Sequence, residues 1–130
     1  MNSLIAKSTP VLLSVLRIVS GFLLIEHGTQ KWLLVPGERA ARATVETLGG
    51  IAGLFELVGG FLLIIGLFTR PVAFLLSGVM AFAYFLAHAP QGFWPILNKG
   101  ELAVLYCFVF LYLAAAGAGP LSLDRMLRRV

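Results

Sequence analysis

The sequence has 130 residues, of which 59% are hydrophobic and 12% are charged. A soluble domain carries about 25% charged residues, so this composition excludes an ordinary soluble protein and indicates an integral membrane protein. The net charge of +4 requires no nucleic-acid partner, and we expect none; it is typical of a cytoplasmic tail that contacts anionic lipid.

Apolar residues gather into four blocks separated by short polar segments. A helix needs about 20 residues to cross the hydrocarbon layer, so the blocks predict transmembrane helices at residues 10–35, 48–68, 71–87 and 101–117. Continuous apolar runs without strict alternation exclude a β-barrel. The sequence therefore predicts an all-α fold in one domain over residues 1–130, an integral membrane four-helix up-and-down bundle.

The connections between the blocks are short. The first block is too long for a signal peptide and lacks a small-residue cleavage site, so we expect it to remain as the first helix, opened by Pro10. A short polar surface segment, residues 38–47, follows as a helix or a structured loop. Residues 66–71 predict a tight turn, and residues 88–100 a turn-rich loop that carries Trp94 at the membrane interface.

Four spans place both termini on the same side of the membrane. The basic residues on that side are Lys7, Arg70, Arg125, Arg128 and Arg129, and those on the other side are Lys31, Arg39, Arg42 and Lys99. Cytoplasmic loops carry an excess of Lys and Arg, so we expect both termini in the cytoplasm.

Ionisable residues interrupt the apolar blocks, beginning with Glu26, His27 and Lys31 in the first one. A charged side chain at mid-bilayer costs at least about 2.5–3.5 kcal/mol, so such residues usually face the bundle interior or a wet cavity. Up-and-down threading brings further polar residues to the same interior, namely Glu56, Tyr84, His88, Asn98, Glu101 and Tyr112. The sequence therefore predicts a polar cavity in the outer half of the bundle.

Helical spacing predicts which faces line this cavity. The three expected stripes are Gly49, Gly53, Glu56 and Gly60; then Met80, Tyr84 and His88; and then Glu101, Leu105, Phe108 and Tyr112. The first stripe has small residues every three or four positions, which lets a neighbouring helix approach closely beside the carboxylate.

At the opposite end, Arg17, Arg70 and Asp124 are expected to form an interior ion-pair latch that holds three of the four helices. The single cysteine, Cys107, lies in the middle of the last helix. A lone thiol forms neither an intramolecular disulfide nor a CxxC metal site, so any redox chemistry needs a borrowed carrier.

Five short motifs, in order along the chain, carry a resemblance to a known family. They are Glu26-His27-Gly28 with Lys31; Glu56-Leu57-Val58-Gly59-Gly60; residues 66–70; Asn98-Lys99-Gly100-Glu101; and residues 117–124. Together they resemble the DoxX family of small bacterial four-helix membrane proteins over residues 17–124. One departure is visible, because the family often has two glycines after the asparagine and Lys99 replaces the first of them.

The resemblance implies a protein of the bacterial cytoplasmic (inner) membrane that is linked to quinone-coupled redox systems, such as subunits of thiosulfate:quinone oxidoreductase. Quinone is then the expected cofactor, with His27, Glu56 and Glu101 as catalytic acid/base residues. The expected ligand-binding residues are Glu26, Lys31, Tyr84, His88, Asn98 and Tyr112. The chain would act as a quinone-linked redox subunit or accessory protein, as a homo-oligomer or with partner subunits of a redox complex.

An alternative makes the same cavity a non-catalytic site that binds or transports a small molecule or ion, or makes the chain an assembly partner of a larger membrane complex. Structural interpretations also stay open: snorkelling for Lys31, a helix-dipole contact for Glu101, and a structural ion pair or interhelical hydrogen bond for each of Glu26 and Glu56. Two histidines on different helices do not form a haem-binding motif, so we expect no haem. We also expect no metal, although a divalent ion bound by His27, Glu56 and Glu101 remains an alternative.

Overall fold

The computed structural model of the chain describes residues 2–37 and 43–127. Its α-helices are α1 (Asn2–Leu33), α2 (Leu48–Ile65), α3 (Thr69–Ala83), α4 (Pro95–Asn98), α5 (Glu101–Ala116) and α6 (Leu123–Met126). A π-helical turn, Tyr84–His88, and a 3₁₀ turn, Ala89–Gln91, extend α3. No strand occurs in these two ranges, and the expected all-α class is confirmed.

Three helical stretches are long and apolar enough to span a membrane: α1, α2 and the continuous stretch Thr69–Gln91. The fourth apolar helix, α5, has 16 residues. At 1.5 Å per residue it is about 24 Å long, somewhat shorter than a hydrocarbon layer of about 30 Å. The three long helices confirm the membrane character of the chain, whereas α5 needs its flanking turns to reach across a bilayer.

The first helix begins earlier than the sequence predicted. It starts at Asn2, with Pro10 inside it instead of at its first turn. Proline removes one backbone hydrogen bond, and the surrounding turn gains others, because the hydroxyls of Ser8 and Thr9 both donate to the carbonyl of Ile5, at 2.8 Å and 3.0 Å.

Two caps fix the ends of α2. The hydroxyl of Thr47 accepts a hydrogen bond from the backbone N–H of Gly50 at 3.0 Å, so it is a standard N-cap. At the other end Gly66 adopts a left-handed conformation with φ 70°, which stops the helix at Ile65, before the predicted end at residue 68. The third helix then starts at Thr69, and Pro71 falls in its first turn, where a missing N–H costs nothing.

Glycines bring α1 and α2 into close contact. A Cβ on Gly60 would lie 2.8 Å from the carbonyl oxygen of Gly21, and a Cβ on Gly28 would lie 2.7 Å from Leu57. The two backbones therefore approach as closely as the small-residue stripe predicted. Helix α2 also packs on α3, where Gly59 leaves room for Leu76, and α3 packs on α5.

The inward face of α5 differs from the predicted one. Leu105, Phe108 and Tyr112 are 62%, 63% and 57% exposed, and Glu101 is exposed at the start of the helix. The buried face consists of Ala103, Tyr106, Phe110 and Leu113. Because apolar side chains cover all sides of this helix, its sequence did not distinguish the two faces, and the predicted stripe was wrong.

The polar segment between α1 and α2 is described only in part. Residues 43–47 form a turn instead of a helix, and the backbone N–H of Ala43 donates to the carbonyl of Lys31 at 2.8 Å. Residues 38–42, with Arg39 and Arg42, lie outside the described residues, as do Arg128 and Arg129, which entered the topology prediction.

Candidate functional site

A cavity of about 250 Å³ lies among α1, α2, the end of α3 and the start of α5. Six polar side chains line it: His27, Lys31, Glu56, His88, Lys99 and Tyr106. Apolar side chains, among them Leu24, Met80 and Leu102, complete the wall. Four of the residues that the sequence predicted for the site, His27, Lys31, Glu56 and His88, therefore share one chamber.

An ion pair joins the two helices that the glycines bring together. Lys31 Nζ lies 2.7 Å from Glu56 Oε1. The carboxylate side chain is 5% exposed and the ammonium side chain 23% exposed. The pair is therefore anchored on α2 in the interior, with its cation closer to the helix end, and Lys31 does more than snorkel to the membrane surface.

Tyr106 is a cavity residue that the sequence analysis missed. It is 5% exposed, and its ring stacks on Phe110 with centroids 5.2 Å apart. Within residues 2–37 and 43–127, no group accepts or donates a hydrogen bond at its buried hydroxyl. Buried hydroxyls normally form a hydrogen bond, so the Tyr106 hydroxyl is an exception among the residues that line the cavity. The signal in the sequence was its spacing from Ala103, Phe110 and Leu113.

His27 contacts this phenol directly. Its ring meets the ring of Tyr106 edge to face, with centroids 6.4 Å apart and an angle of 89° between the planes. The neighbouring Glu26 is half-buried but does not line the cavity. Adjacent residues of a helix point about 100° apart, so the chamber receives the imidazole and not this carboxylate.

The π-helical turn positions His88. The His88 ring Nδ1 lies 3.0 Å from the carbonyl oxygen of Asn98. A carbonyl only accepts, so Nδ1 carries the proton, and in the neutral ring Nε2 keeps its lone pair. A π turn inserted in an α-helix rotates the following side chains and is frequent at functional sites.

Tyr84 and Asn98 hold the loop that closes the chamber and do not line it. The Tyr84 hydroxyl donates to the carbonyl of Phe93. Asn98, 1% exposed, donates to the carbonyl of Gly92 at 2.7 Å and accepts from the N–H of Gly100 at 2.8 Å. Both side chains are therefore occupied by loop contacts, so their geometry fits a positioning role.

Lys99 lies at the tip of this loop. Its backbone is left-handed, with φ 63°, a conformation that favours glycine over other residues. Its side chain lines the cavity and also an open groove of about 430 Å³, which Glu101, Leu102 and Leu105 share. Glu101 thus lies on the groove outside the chamber, and Tyr112 lies on the outer face of α5.

The residues at the opposite end come together without the predicted ion pair. Arg17, which is fully buried, donates from Nε to the carbonyl of Leu63 at 2.7 Å and from Nη2 to that of Leu121 at 2.6 Å. Its Nη1 donates to the carbonyl of Ala118. The guanidinium therefore joins the carboxyl end of α2, where the Leu63 carbonyl also accepts from the N–H of Gly66, to the turns after α5.

Asp124 makes the complementary contact at the start of α3. Its two carboxylate oxygens accept from the backbone N–H groups of Phe68 and Thr69, at 2.8 Å and 2.9 Å. Arg70 donates to the carbonyls of Ala114, at 3.3 Å, and Ala115, at the end of α5. Among the described residues neither arginine pairs with Asp124, because open backbone groups at the helix ends are their nearer partners.

The charges and donors of the chamber favour a ligand with acceptor atoms. Lys31 and Glu56 compensate each other's charge as an ion pair, so Lys99 is the cation in excess among the residues that line the cavity. Tyr106 adds a hydroxyl donor. In the described part of the chain, no three His, Cys, Asp or Glu side chains are grouped so as to hold a metal ion.

Apolar helices that pack around a partly open polar cavity define a small helical integral membrane protein. Residues 12–89 match the DoxX family. The chain belongs to the DoxX family, as its motifs predicted.

Proteins of two bacteria are similar to the chain. It is 47% identical to an uncharacterized protein of Haemophilus influenzae over 129 residues, which is 95% of this chain and 96% of that protein. It is 37% identical to another protein of that organism over 58% of this chain and 50% of that protein. It is 26% identical to an uncharacterized membrane protein of Mycobacterium tuberculosis, over 88% and 80% of the two chains. No solved structure matches the chain.

Proposed function

We propose that the chamber binds the head group of a membrane quinone, and that the protein is a quinone-binding subunit or accessory protein of a redox complex. The observation that carries this proposal is Tyr106, which lines the chamber and whose buried hydroxyl has no hydrogen-bond partner in residues 2–37 and 43–127. A quinone carbonyl accepts hydrogen bonds and would satisfy it.

The apolar wall supports a ring-shaped ligand. Leu24, Met80 and Leu102 surround the polar side chains, and a volume of about 250 Å³ suits a small head group. Pockets for drug-sized ligands are larger, roughly 300–1,000 Å³. Lys99 and Leu102 line both the chamber and the open groove, so the groove is the route by which an apolar tail would leave.

A bound quinone would supply the redox chemistry, as an acceptor of two electrons from a partner subunit and of two protons. The chain orients the ring and delivers protons. Lys99 favours negative charge at a carbonyl oxygen, and the imidazoles of His27 and His88 are the groups in the chamber that can donate or accept protons. Glu56 holds Lys31 in place across the cavity wall.

A pair of variants on the same helix tests the proposal. Tyr106→Phe removes the chamber hydroxyl, and Tyr112→Phe removes a hydroxyl from the outer face of α5. We expect the first variant to bind a short-tailed ubiquinone analogue roughly threefold to tenfold more weakly, the cost of one hydrogen bond, and the second to bind like the parent. Titration of purified protein gives the affinities, and mass spectrometry of organic extracts detects retained quinone.

The proposal fails if the extracts contain no quinone and the analogue does not bind, or if both variants bind it equally. The cation-binding alternative is less well supported, because Glu26 and Glu101 do not line the chamber and Glu56 is neutralised by Lys31. With Lys31 and Glu56 paired, Lys99 leaves the chamber with an excess positive charge, which disfavours a cationic ligand.

We further propose that α5 crosses the membrane with its flanking turns as the fourth span. This makes the fold a four-helix up-and-down bundle with both termini in the cytoplasm of a bacterial inner membrane. The support is the end-to-end pairing of α3 with α5 and the basic residues Arg70 and Arg125 at the terminal end. A C-terminal alkaline phosphatase fusion should be inactive, and an active fusion would show that the termini lie on the opposite side of the membrane.

A further inference from the structure

A cavity of about 200 Å³ lies at the opposite end of the bundle, where α3 begins and α5 ends. Arg70, Arg125, Ser122 and Asp124 line it together with the turn of residues 116–120. It shares no lining residue with the quinone chamber, so it is a separate site.

Two guanidinium groups give this cavity its donors. Arg70 uses Nη1 for the carbonyls at the end of α5, and among the described residues its Nε and Nη2 make no hydrogen bond. A Cβ on Gly117 would lie 3.1 Å from Arg70 Nη2, so the glycine lets the guanidinium lie against the turn. Arg125 is exposed on α6 and forms no ion pair within residues 2–37 and 43–127.

The carboxylate in the wall does not cancel these charges locally. Asp124 directs both oxygens at the backbone N–H groups of Phe68 and Thr69, where the positive end of the α3 dipole lies. Its charge is therefore compensated by the helix, and the two guanidinium groups keep the cavity electropositive. A planar guanidinium fork matches the geometry of phosphate oxygens.

The cavity lies where apolar helices meet polar turns. Phe68 and Leu121, beside it, are 45% and 57% exposed. The apolar stretch of α3 begins at this level and that of α5 ends there. In a spanning protein this is the level of the lipid head groups, and basic pockets between helices at that level bind anionic lipid. We propose that this cavity binds the phosphate of an anionic phospholipid.

Lipid-dependent stabilisation tests the site. The delipidated full chain in detergent is titrated with phosphatidylglycerol, with phosphatidylcholine of the same acyl chains, and with inorganic phosphate, while thermal unfolding is followed. We expect phosphatidylglycerol to stabilise the protein most. Arg125→Ala should weaken that effect roughly tenfold in apparent affinity, since it removes a charged hydrogen-bond donor.

Two further variants make the result specific. Lys7→Ala removes an exposed cation of α1 that does not line the cavity and should leave the lipid effect unchanged. Arg70→Lys keeps the charge and loses the fork, so it should weaken lipid binding. Because Arg70 also caps α5, Arg125→Ala carries the test if this variant fails to fold.

Three results would overturn the proposal. One is equal stabilisation by phosphatidylcholine, and another is equal stabilisation by inorganic phosphate, which would assign a free-anion site. The third is an unchanged response of Arg125→Ala. None of them bears on quinone binding, which is measured at the other cavity.

Discussion

Lys31 Nζ and Glu56 Oε1 lie 2.7 Å apart and join α1 to α2 across the wall of the chamber. The contact depends on the glycines of both helices. A Cβ on Gly53 would lie 2.9 Å from the Trp32 ring and 3.3 Å from the Lys31 side chain, so the glycine lets both side chains of α1 lie against α2 beside the carboxylate.

The first prediction concerns the stability of this ion pair. Glu56→Gln or Lys31→Met alone strands one buried charge and should lower the free energy of unfolding by about 3–5 kcal/mol. The double variant should recover a large part of that loss, because no unpaired charge remains. Thermal and denaturant unfolding in detergent completes the double-mutant cycle. Additive losses in the double variant would show that the two charges do not interact.

The second prediction concerns the contact between α1 and α2. Gly60→Ala places a Cβ 2.7 Å from Ile25 and 2.8 Å from the carbonyl of Gly21, so the helices must separate. We expect a destabilisation of about 1–3 kcal/mol from overpacking, larger than the gain in helix propensity. Gly78→Ala is the matched control, because a Cβ there meets no atom within 4 Å. It should stabilise the protein by up to about 1 kcal/mol, and a similar effect of both variants would refute the tight contact.

The third prediction concerns the cap of α3. Asp124→Ala leaves the N–H groups of Phe68 and Thr69 without their acceptor and should cost roughly 1–3 kcal/mol. Asp124→Asn keeps one acceptor oxygen and should cost less. The midpoint of thermal unfolding in detergent ranks the two variants. An Asp124→Ala variant as stable as the parent would show that this cap does not stabilise the protein.

The fourth prediction concerns Arg17. Arg17→Lys keeps a charge, but one ammonium cannot reach the carbonyls of Leu63, Ala118 and Leu121 together as the guanidinium does. We expect it to lose at least about 2 kcal/mol, and Arg17→Met to lose more, since buried carbonyls are then unsatisfied. Lys7→Arg on α1 is the control and should be neutral, because Lys7 is exposed and lines neither cavity. Equal stabilities of Arg17→Lys and the parent would contradict the cap.

Much of the architecture was predictable because local rules determine helix ends. Thr47 and Gly66 mark the two ends of α2, and the polar turns separate the apolar helices. The chamber was predictable in part. Buried charge is costly in lipid, so Glu56 had to face the interior. The π-helical turn that positions His88 was not predicted, because regular helical spacing does not indicate it.

The sequence by itself determined the membrane class, the all-α fold and the family. Hydropathy, the polar turns between apolar segments and short motifs can all be recognised without knowing how the helices pack. Tertiary structure alone decided which side of α5 faces inward. Lipid and bundle interior are both apolar, so hydropathy does not separate Tyr106 from Tyr112. It also decided that Arg17 and Asp124 bind open backbone groups instead of each other, because helix ends from distant segments become partners only after the helices have packed.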